Sequence, residues 1–308
     1  MRWICLIFFL CLRVDSQVTQ PWTQSIEALL ASGDLPHARQ QLADENAARG
    51  ETPAGLYIEA KILFAEQRYH EALQLAQRAL TVAPASPELY KLAALSAIRL
   101  DRLEVAEPAL NKAAQLAPDD YLVHFHLGAL YYTKSLFLAA RPELEKATHL
   151  NPSYMPCLLF LGLALEEVGD EASTVATYRK AIDVAEAQRG VREMPYIYLG
   201  RFYYRRNRFD DGLPLLEKAV VLNPGSGEAW LVLGKTLHGL KRDGEAVAAL
   251  ERSAVAEARD PETHYLLYRI LESQGHEEAA QRELLRFEEL NKQKPATDAA
   301  RRKLQNTP

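Results

Sequence analysis

The stretch Tyr196–Pro224, YIYLGRFYYRRNRFDDGLPLLEKAVVLNP, decides the fold. Tyr196, Leu199, Gly200 and Tyr203 follow a spacing of three, one and three, which puts them on one face of an α-helix. A polar run, Arg205-Arg206-Asn207-Arg208, interrupts the pattern. Phe209 then opens a second set, with Gly212, Leu216 and Ala219 on one face of a second helix, and Pro224 follows its end. The stretch therefore reads as two amphipathic helices joined by a short turn. Further along, the same phrase returns as Trp230-x2-Leu233-Gly234, then Ala246 and Leu250. Upstream, Pro84, Pro118 and Pro152 stand 34 residues apart, the period of helix–turn–helix arrays.

Framed on that period, residues 19–294 divide into eight repeats: 19–52, 53–86, 87–120, 121–154, 155–188, 193–226, 227–260 and 261–294. One insertion, Arg189 to Arg192, separates the fifth from the sixth and is expected to lengthen the preceding helix. Positions that did not set the frame agree with it. Position 8 is small in the six interior repeats: Ala60, Ala94, Gly128, Gly162, Gly200 and Gly234. Position 20 is Ala38, Ala72, Ala106, Ala140, Thr174, Gly212, Ala246 and Ala280. Position 27 is Ala79, Ala113, Ala147, Ala181, Ala219 and Ser253 in the interior. Small residues at fixed places mark where two helices cross closely. The exceptions Ile26, Glu45, Tyr268 and Phe287 all lie in the first and last repeats, which have a neighbour on one side only. Pro108, Pro142 and Pro214 share position 22. A proline lacks an amide donor, so the second helix of those repeats is expected to start no earlier than about position 19.

These residues resemble the tetratricopeptide repeat family. The likeness is carried by Tyr196-x2-Leu199-Gly200-x2-Tyr203, Phe209 and Pro224, and by Trp230-x2-Leu233-Gly234, Ala246 and Leu250. It extends over 19–294. It implies an all-α fold, an α-solenoid or superhelix of tandem helix–turn–helix repeats, with the first helices lining an inner groove. It also implies protein or peptide binding without catalysis.

Composition fits that class. Lys plus Arg number 36 against 41 Asp plus Glu, a net charge of −5, which gives no basic footprint for nucleic acid. After Met1-Arg2, residues Trp3 to Leu12 (WICLIFFLCL) are unbroken apolar, the length of a secretory signal core and too short to span a bilayer. Residues 1–16 are expected to be a signal peptide cut between Ser16 and Gln17. Export to the periplasm or the extracellular space follows from that. Of the cysteines, Cys5 and Cys11 would leave with the signal, and Cys157 lies on an apolar stretch, where packing is a better reading than nucleophilic chemistry. His124 and His126 point to different sides of a helix and make a poor metal pair. No phosphate loop, dinucleotide fingerprint or serine elbow is present. No enzyme activity, cofactor or metal is expected. Residues 295–308 read as a charged, frayed helix end.

What remains is a surface. The resemblance puts positions 2, 5, 9, 12 and 13 on the groove. Position 5 supplies an apolar ladder of Tyr57, Phe125, Leu159, Ile197, Leu231 and Tyr265, and position 12 adds Phe64, Tyr132, Tyr204 and His238. These side chains either face a partner or pack on adjacent repeats. Position 9 of the last three repeats is Arg201, Lys235 and Arg269, and Arg205 shares the face of Arg201. With first helices spaced about a helix diameter, ~10 Å, these cations would suit an acidic extended segment. Position 9 of repeats three to five is Leu95, Ala129 and Leu163, so the paired-asparagine carboxylate clamp of chaperone-binding relatives is missing. The expected function is a non-enzymatic scaffold of the cell envelope that binds a protein or extended peptide in the concave groove. The alternative is an accessory subunit of a glycan-export or glycan-modifying machine.

Overall fold

The computed structural model describes residues 21–188 and 192–305, the side chains of 294–305 excepted. The signal segment at 1–16 and most of the Arg189 to Arg192 insertion lie outside the described residues. Sixteen α-helices and no strand are found among the described residues. They are α1 (Pro21–Ser32), α2 (Leu35–Arg49), α3 (Pro53–Ala65), α4 (Tyr69–Val82), α5 (Pro87–Arg99), α6 (Leu103–Leu116), α7 (Tyr121–Thr133) and α8 (Phe137–Leu150), then α9 (Met155–Val168), α10 (Glu171–Ala187), α11 (Met194–Arg205), α12 (Phe209–Leu222), α13 (Gly227–Gly239), α14 (Asp243–Ala256), α15 (Pro261–Ser273) and α16 (Glu277–Gln305). They form eight consecutive pairs. The chain divides after Leu127, within α7, into two compact bodies.

Local chemistry sets the helix ends. In five repeats the residue at position 34 caps the first helix of the next one, whereas Tyr154 makes no side-chain cap for α9. Thr52 accepts from the Gly55 amide at 3.0 Å, Ser86 from Leu89 at 3.3 Å, Ser226 from Ala229 at 3.2 Å and Asp260 from Thr263 at 3.0 Å. Asp120 accepts from Leu122 at 2.9 Å in the same way. Each such cap is worth about 1 kcal/mol. The hairpin turn is equally regular. Position 15 adopts a left-handed backbone in all eight repeats: Gly33, Gln67, Asp101, Ser135, Gly169, Asn207, Lys241 and Gly275. Around it, the Arg68 amide donates to the Leu63 carbonyl at 2.9 Å and the Gln67 amide to Phe64 at 3.0 Å, the paired bonds that close a helix end through a left-handed residue.

The prolines at position 22 correct one expectation. The helices α6, α8 and α12 begin at Leu103, Phe137 and Phe209, which is position 17, so Pro108, Pro142 and Pro214 lie inside them. Each proline removes the bond to the carbonyl four residues back, on Glu104, Leu138 or Asp210. All three of those residues are exposed, so water can satisfy the carbonyl and the helix tolerates the ring. The helix α10 has 17 residues where its counterpart α8 has 14. The last helix does not stop with the eighth repeat but runs on to Gln305.

In each body a helix packs on its neighbours in sequence. First helices also pack directly on one another: α1 on α3 and α3 on α5 in the first body, α9 on α11 and α11 on α13 in the second. Among the described residues, consecutive second helices share no comparable packing. The first helices therefore form the inner side of each stack. The core follows the small residues, with Ala60, Ala94, Ala72 and Ala79 wholly buried in the first body and Ala140, Ala147, Ala181, Ala219 and Ala246 in the second.

Candidate functional site

In the second body the inner side is built from α9, α11, α13 and α15. Position 5 of each first helix behaves differently from a plain exposed ladder. Ile197 is wholly buried, within the cluster that includes Tyr196, Leu216, Ala219 and Leu233. Leu159 and Leu231 are half-buried and pack on the core. Only Tyr265 is exposed, at 37%. In the first body Tyr57 and Phe125 are buried. Ile197, Tyr57 and Phe125 are thus core residues, a correction to the ladder. The reason is geometric: an inner helix is flanked on both sides by other first helices, so its apolar stripe is wide and position 5 turns into a neighbour.

The basic face is corrected too. Arg201 Nη1 donates to Glu228 Oε1 at 2.7 Å, and the guanidinium lies 4.5 Å from the Tyr198 ring centroid. Lys235 Nζ meets Glu262 Oε1 at 2.6 Å. Arg205 Nη1 donates to Glu166 Oε1 at 2.8 Å. The Glu166 side chain is only 9% exposed. Three of the four cations therefore staple one inner helix to the next, and the face is close to neutral. Arg269 alone lies outside this scheme, held by the Tyr265 hydroxyl at 3.2 Å.

Between the ion pairs stand aromatic rings. Tyr204 sits half-buried at position 12, its ring 5.8 Å from Phe209. Tyr132 meets Phe160 edge-on at 5.8 Å. Burial raises the phenol of both Tyr132 and Tyr204 above its usual range, so the rings stay neutral hydrogen-bonding groups. The surface can thus offer rings, partly buried leucines and compensated charges. That suits an amphipathic protein segment better than a highly acidic one.

A second feature escaped the sequence reading. Leu136 and Leu138 are exposed, Leu138 to 78%, and with Phe137 and Val168 they line an open notch of about 520 Å³. The signal was present: position 16 is polar in every other repeat (Asp34, Arg68, Arg102, Asp170, Arg208, Arg242 and His276) and leucine only here.

Groups with possible chemistry are occupied structurally. The Cys157 thiol is buried, donates to the Leu144 carbonyl at 3.3 Å, and lies 3.1 Å from Thr148 Oγ1. Burial pushes its pKa up to about 11, so the thiolate nucleophile is suppressed. Burial likewise holds the His126 ring at about 4, with the Lys91 charge adding to it. The His124 ring bonds the Pro118 carbonyl at 2.9 Å. Among the described residues no three His, Cys, Asp or Glu side chains gather as a metal site, and no helix is long and apolar enough to cross a membrane.

Comparison with known proteins places this geometry. The tetratricopeptide repeat profile matches residues 91–154 and 199–262. BBSome complex member BBS4 of Bos taurus is 25% identical over 186 residues, which cover 60% of this chain and 35% of that protein. Anaphase-promoting complex subunit 6 of Arabidopsis thaliana is 26% identical over 152 residues, 47% of this chain and 27% of that protein. The chain spans about a third of the length of the first curated relatives it matches. Among solved structures, the APC/C hetero-tetramer Cut9-Hcn1 superposes with a TM-score of 0.64 at 17% identity, over 80% of this chain and 48% of that one. A tetratricopeptide repeat protein from Parabacteroides merdae superposes with a TM-score of 0.58 at 16% identity, over 81% of this chain and 97% of that one. At such identities the structural likeness speaks for the fold.

Proposed function

We propose that this tetratricopeptide repeat protein is a non-enzymatic interaction scaffold, and that the inner face of its second body holds a protein segment. The observation that carries the reading is the surface of α9, α11, α13 and α15, where Leu159, Tyr204, Leu231 and Tyr265 alternate with the Arg205–Glu166, Arg201–Glu228 and Lys235–Glu262 pairs. The resemblance to BBSome complex member BBS4 and to anaphase-promoting complex subunit 6, both members of multiprotein complexes, supports the same class of function. Affinity should come from the rings and leucines, because the charges already satisfy one another. Measured by surface-plasmon kinetics on a partner captured from extract, Leu231→Ala with Tyr204→Ala should weaken binding about tenfold or more, the loss of ~1.4 kcal/mol. Val221→Ala with Val255→Ala, on exposed positions of α12 and α14, should leave it unchanged. Raising salt should slow association by less than about threefold, since the face is near neutral. Loss of binding only in the valine pair would refute the inner-face reading.

Export is part of the proposal. The apolar run Trp3 to Leu12 after Arg2 supports it, and the mature chain is expected to begin at Gln17. N-terminal sequencing that recovers Met1 on the accumulated protein would rule it out.

A further inference from the structure

The hairpin turn of the fourth repeat leads into Leu136-Phe137-Leu138-Ala139, four apolar residues in a row at the surface. Leu136 and Leu138 are 45% and 78% exposed, and Ala139 is exposed as well. Such a run adds little to a core, and on a surface it is an error unless it is used. It also forgoes what other repeats have at this place. At position 16, Asp34 and Asp170 cap their helices through the His37 and Ser173 amides. Arg68, Arg208 and Arg242 pair with the acid three residues on, Glu71 at 2.5 Å, Asp211 at 2.7 Å and Glu245 at 2.6 Å. Leu136 makes no side-chain cap, and Ala139 stands where that acid would be. Leu138 is likewise the only large aliphatic residue at position 18. The fourth repeat thus breaks a local rule that its neighbours keep, at positions where no packing gain offsets it.

The ring between the two leucines lacks its usual cover. In the two other repeats with an aromatic residue at position 17, position 13 of the next repeat closes on the ring. The Arg99 guanidinium lies 4.7 Å from the Tyr69 ring centroid. A Cβ on Gly239 would stand 2.7 Å from Phe209 Cε1 and Cζ, so there the helix backbone itself meets the ring. Opposite Phe137, position 13 is Glu167, and the two line the notch with Leu136, Leu138 and Val168. Glu167 is exposed, and among the described residues it has no hydrogen bond or ion pair. Arg205, which lies within its field, is held by Glu166 at 2.8 Å. An unpaired carboxylate therefore stands beside a half-open aromatic ring, where the third repeat supplies a guanidinium to the ring of the second.

We infer that this notch, at the turn edge of the fourth and fifth repeats, is a second docking site. Its occupant is an extended segment of another protein, with an arginine or lysine one or two residues from a large apolar residue. The cation takes the place that Arg99 holds over Tyr69, lying on the Phe137 ring and pairing with Glu167. The apolar neighbour covers Leu136, Leu138 and Val168. Size argues for a segment over a second copy of this chain. A stable interface between folded copies takes roughly 20–30 residues a side. A notch of about 520 Å³ accommodates a few side chains. The site uses none of Tyr204, Leu231 and Tyr265, so it stands apart from the inner-face reading.

The test starts from a random-peptide phage library selected on the full chain, with enriched sequences synthesised and titrated by fluorescence anisotropy. One enriched class should hold an arginine or lysine one or two residues from a leucine, isoleucine, phenylalanine or methionine. Its binding should fall about tenfold or more on Glu167→Lys, and return on that variant when the peptide cation is changed to glutamate. Leu136→Arg with Ala139→Glu rebuilds the pair of the second, sixth and seventh repeats. That variant should abolish binding of this class while the thermal midpoint stays level or rises, which separates a lost site from a lost fold. Leu231→Ala with Tyr204→Ala should leave the class bound, which separates the notch from the inner face. The absence of an enriched cationic class that Glu167→Lys weakens would overturn the proposal, and so would a class that also fails on the Leu231 and Tyr204 pair. Sedimentation of the chain alone is the other arm: a concentration-dependent dimer that Leu138→Asp abolishes would assign the notch to a second copy and equally overturn it.

Discussion

Replacing Gly162 should destabilise the second body more than a change at any exposed position. A Cβ at Gly162 would stand 2.2 Å from Tyr178 Cε1 and 2.6 Å from Cδ1 and Cζ. The Tyr178 ring is wholly buried between α9, α10 and α11, so it has nowhere to swing. Gly162→Ala already forces a shift, and Gly162→Leu should cost about 3 kcal/mol or more, the upper range for overpacking a closed core. The third repeat shows what would relieve it. There position 8 is Ala94 and position 24 is Leu110, both wholly buried. Gly162→Ala with Tyr178→Leu copies that pair and should recover most of the loss, a coupling of about 1–2 kcal/mol in a double-mutant cycle. Tyr178→Phe should be neutral or slightly stabilising, because the Tyr178 hydroxyl is buried with no hydrogen-bond partner among the described residues. Lys218→Ala, an exposed control, should stay within about 0.5 kcal/mol. Chemical denaturation read by circular dichroism measures these five and Tyr178→Leu alone, which closes the cycle. Because repeats touch only their neighbours, the Gly162 variants should also broaden or split the transition. Equal stability of Gly162→Leu and Lys218→Ala would contradict the register.

The second large effect separates structure from surface at equivalent positions of two repeats. Ile197 and Tyr265 both hold position 5. Ile197 is wholly buried, so Ile197→Ala should cost about 2–5 kcal/mol through lost contacts and the cavity left behind. Tyr265 is 37% exposed, so Tyr265→Ala should cost less, about 1 kcal/mol. Urea midpoints at constant slope would establish the difference. Equal costs would return Ile197 to the groove.

That contrast shows what the sequence could convey. The repeat length, the pairing of helices and the close crossings were legible, because glycine and alanine at positions 8, 20 and 27 report a backbone-to-backbone approach that larger residues cannot make. The turn residue at position 15 was not. Gln67, Asp101, Ser135, Asn207 and Lys241 adopt a left-handed backbone there without being glycine, so composition conceals the regularity. The proline rule failed at Pro108, Pro142 and Pro214 because exposure of the orphaned carbonyl, which sequence does not give, decides whether a helix tolerates the ring. The binding face was half legible. Helical periodicity identifies an apolar stripe but cannot say whether a partner or the next inner helix covers it, which is why Ile197 and Leu231 look alike in sequence. The cations misled for a related reason. Arg201 and Glu228 stand 27 residues apart, and a pair at that distance becomes visible only once the repeat has been folded.

Site-specific photo-crosslinking in the native extract tests the central claim most directly. Benzoylphenylalanine replaces Tyr204 on the inner face of α11, where one aromatic group stands in for another, and Val255 on the outer side of α14, where the valine is 86% exposed. Irradiation should give a discrete heavier adduct from the Tyr204 position, identifiable by mass spectrometry, and none from Val255. A discrete adduct from Val255 with none from Tyr204 would contradict an inner binding face and transfer the site to the second helices.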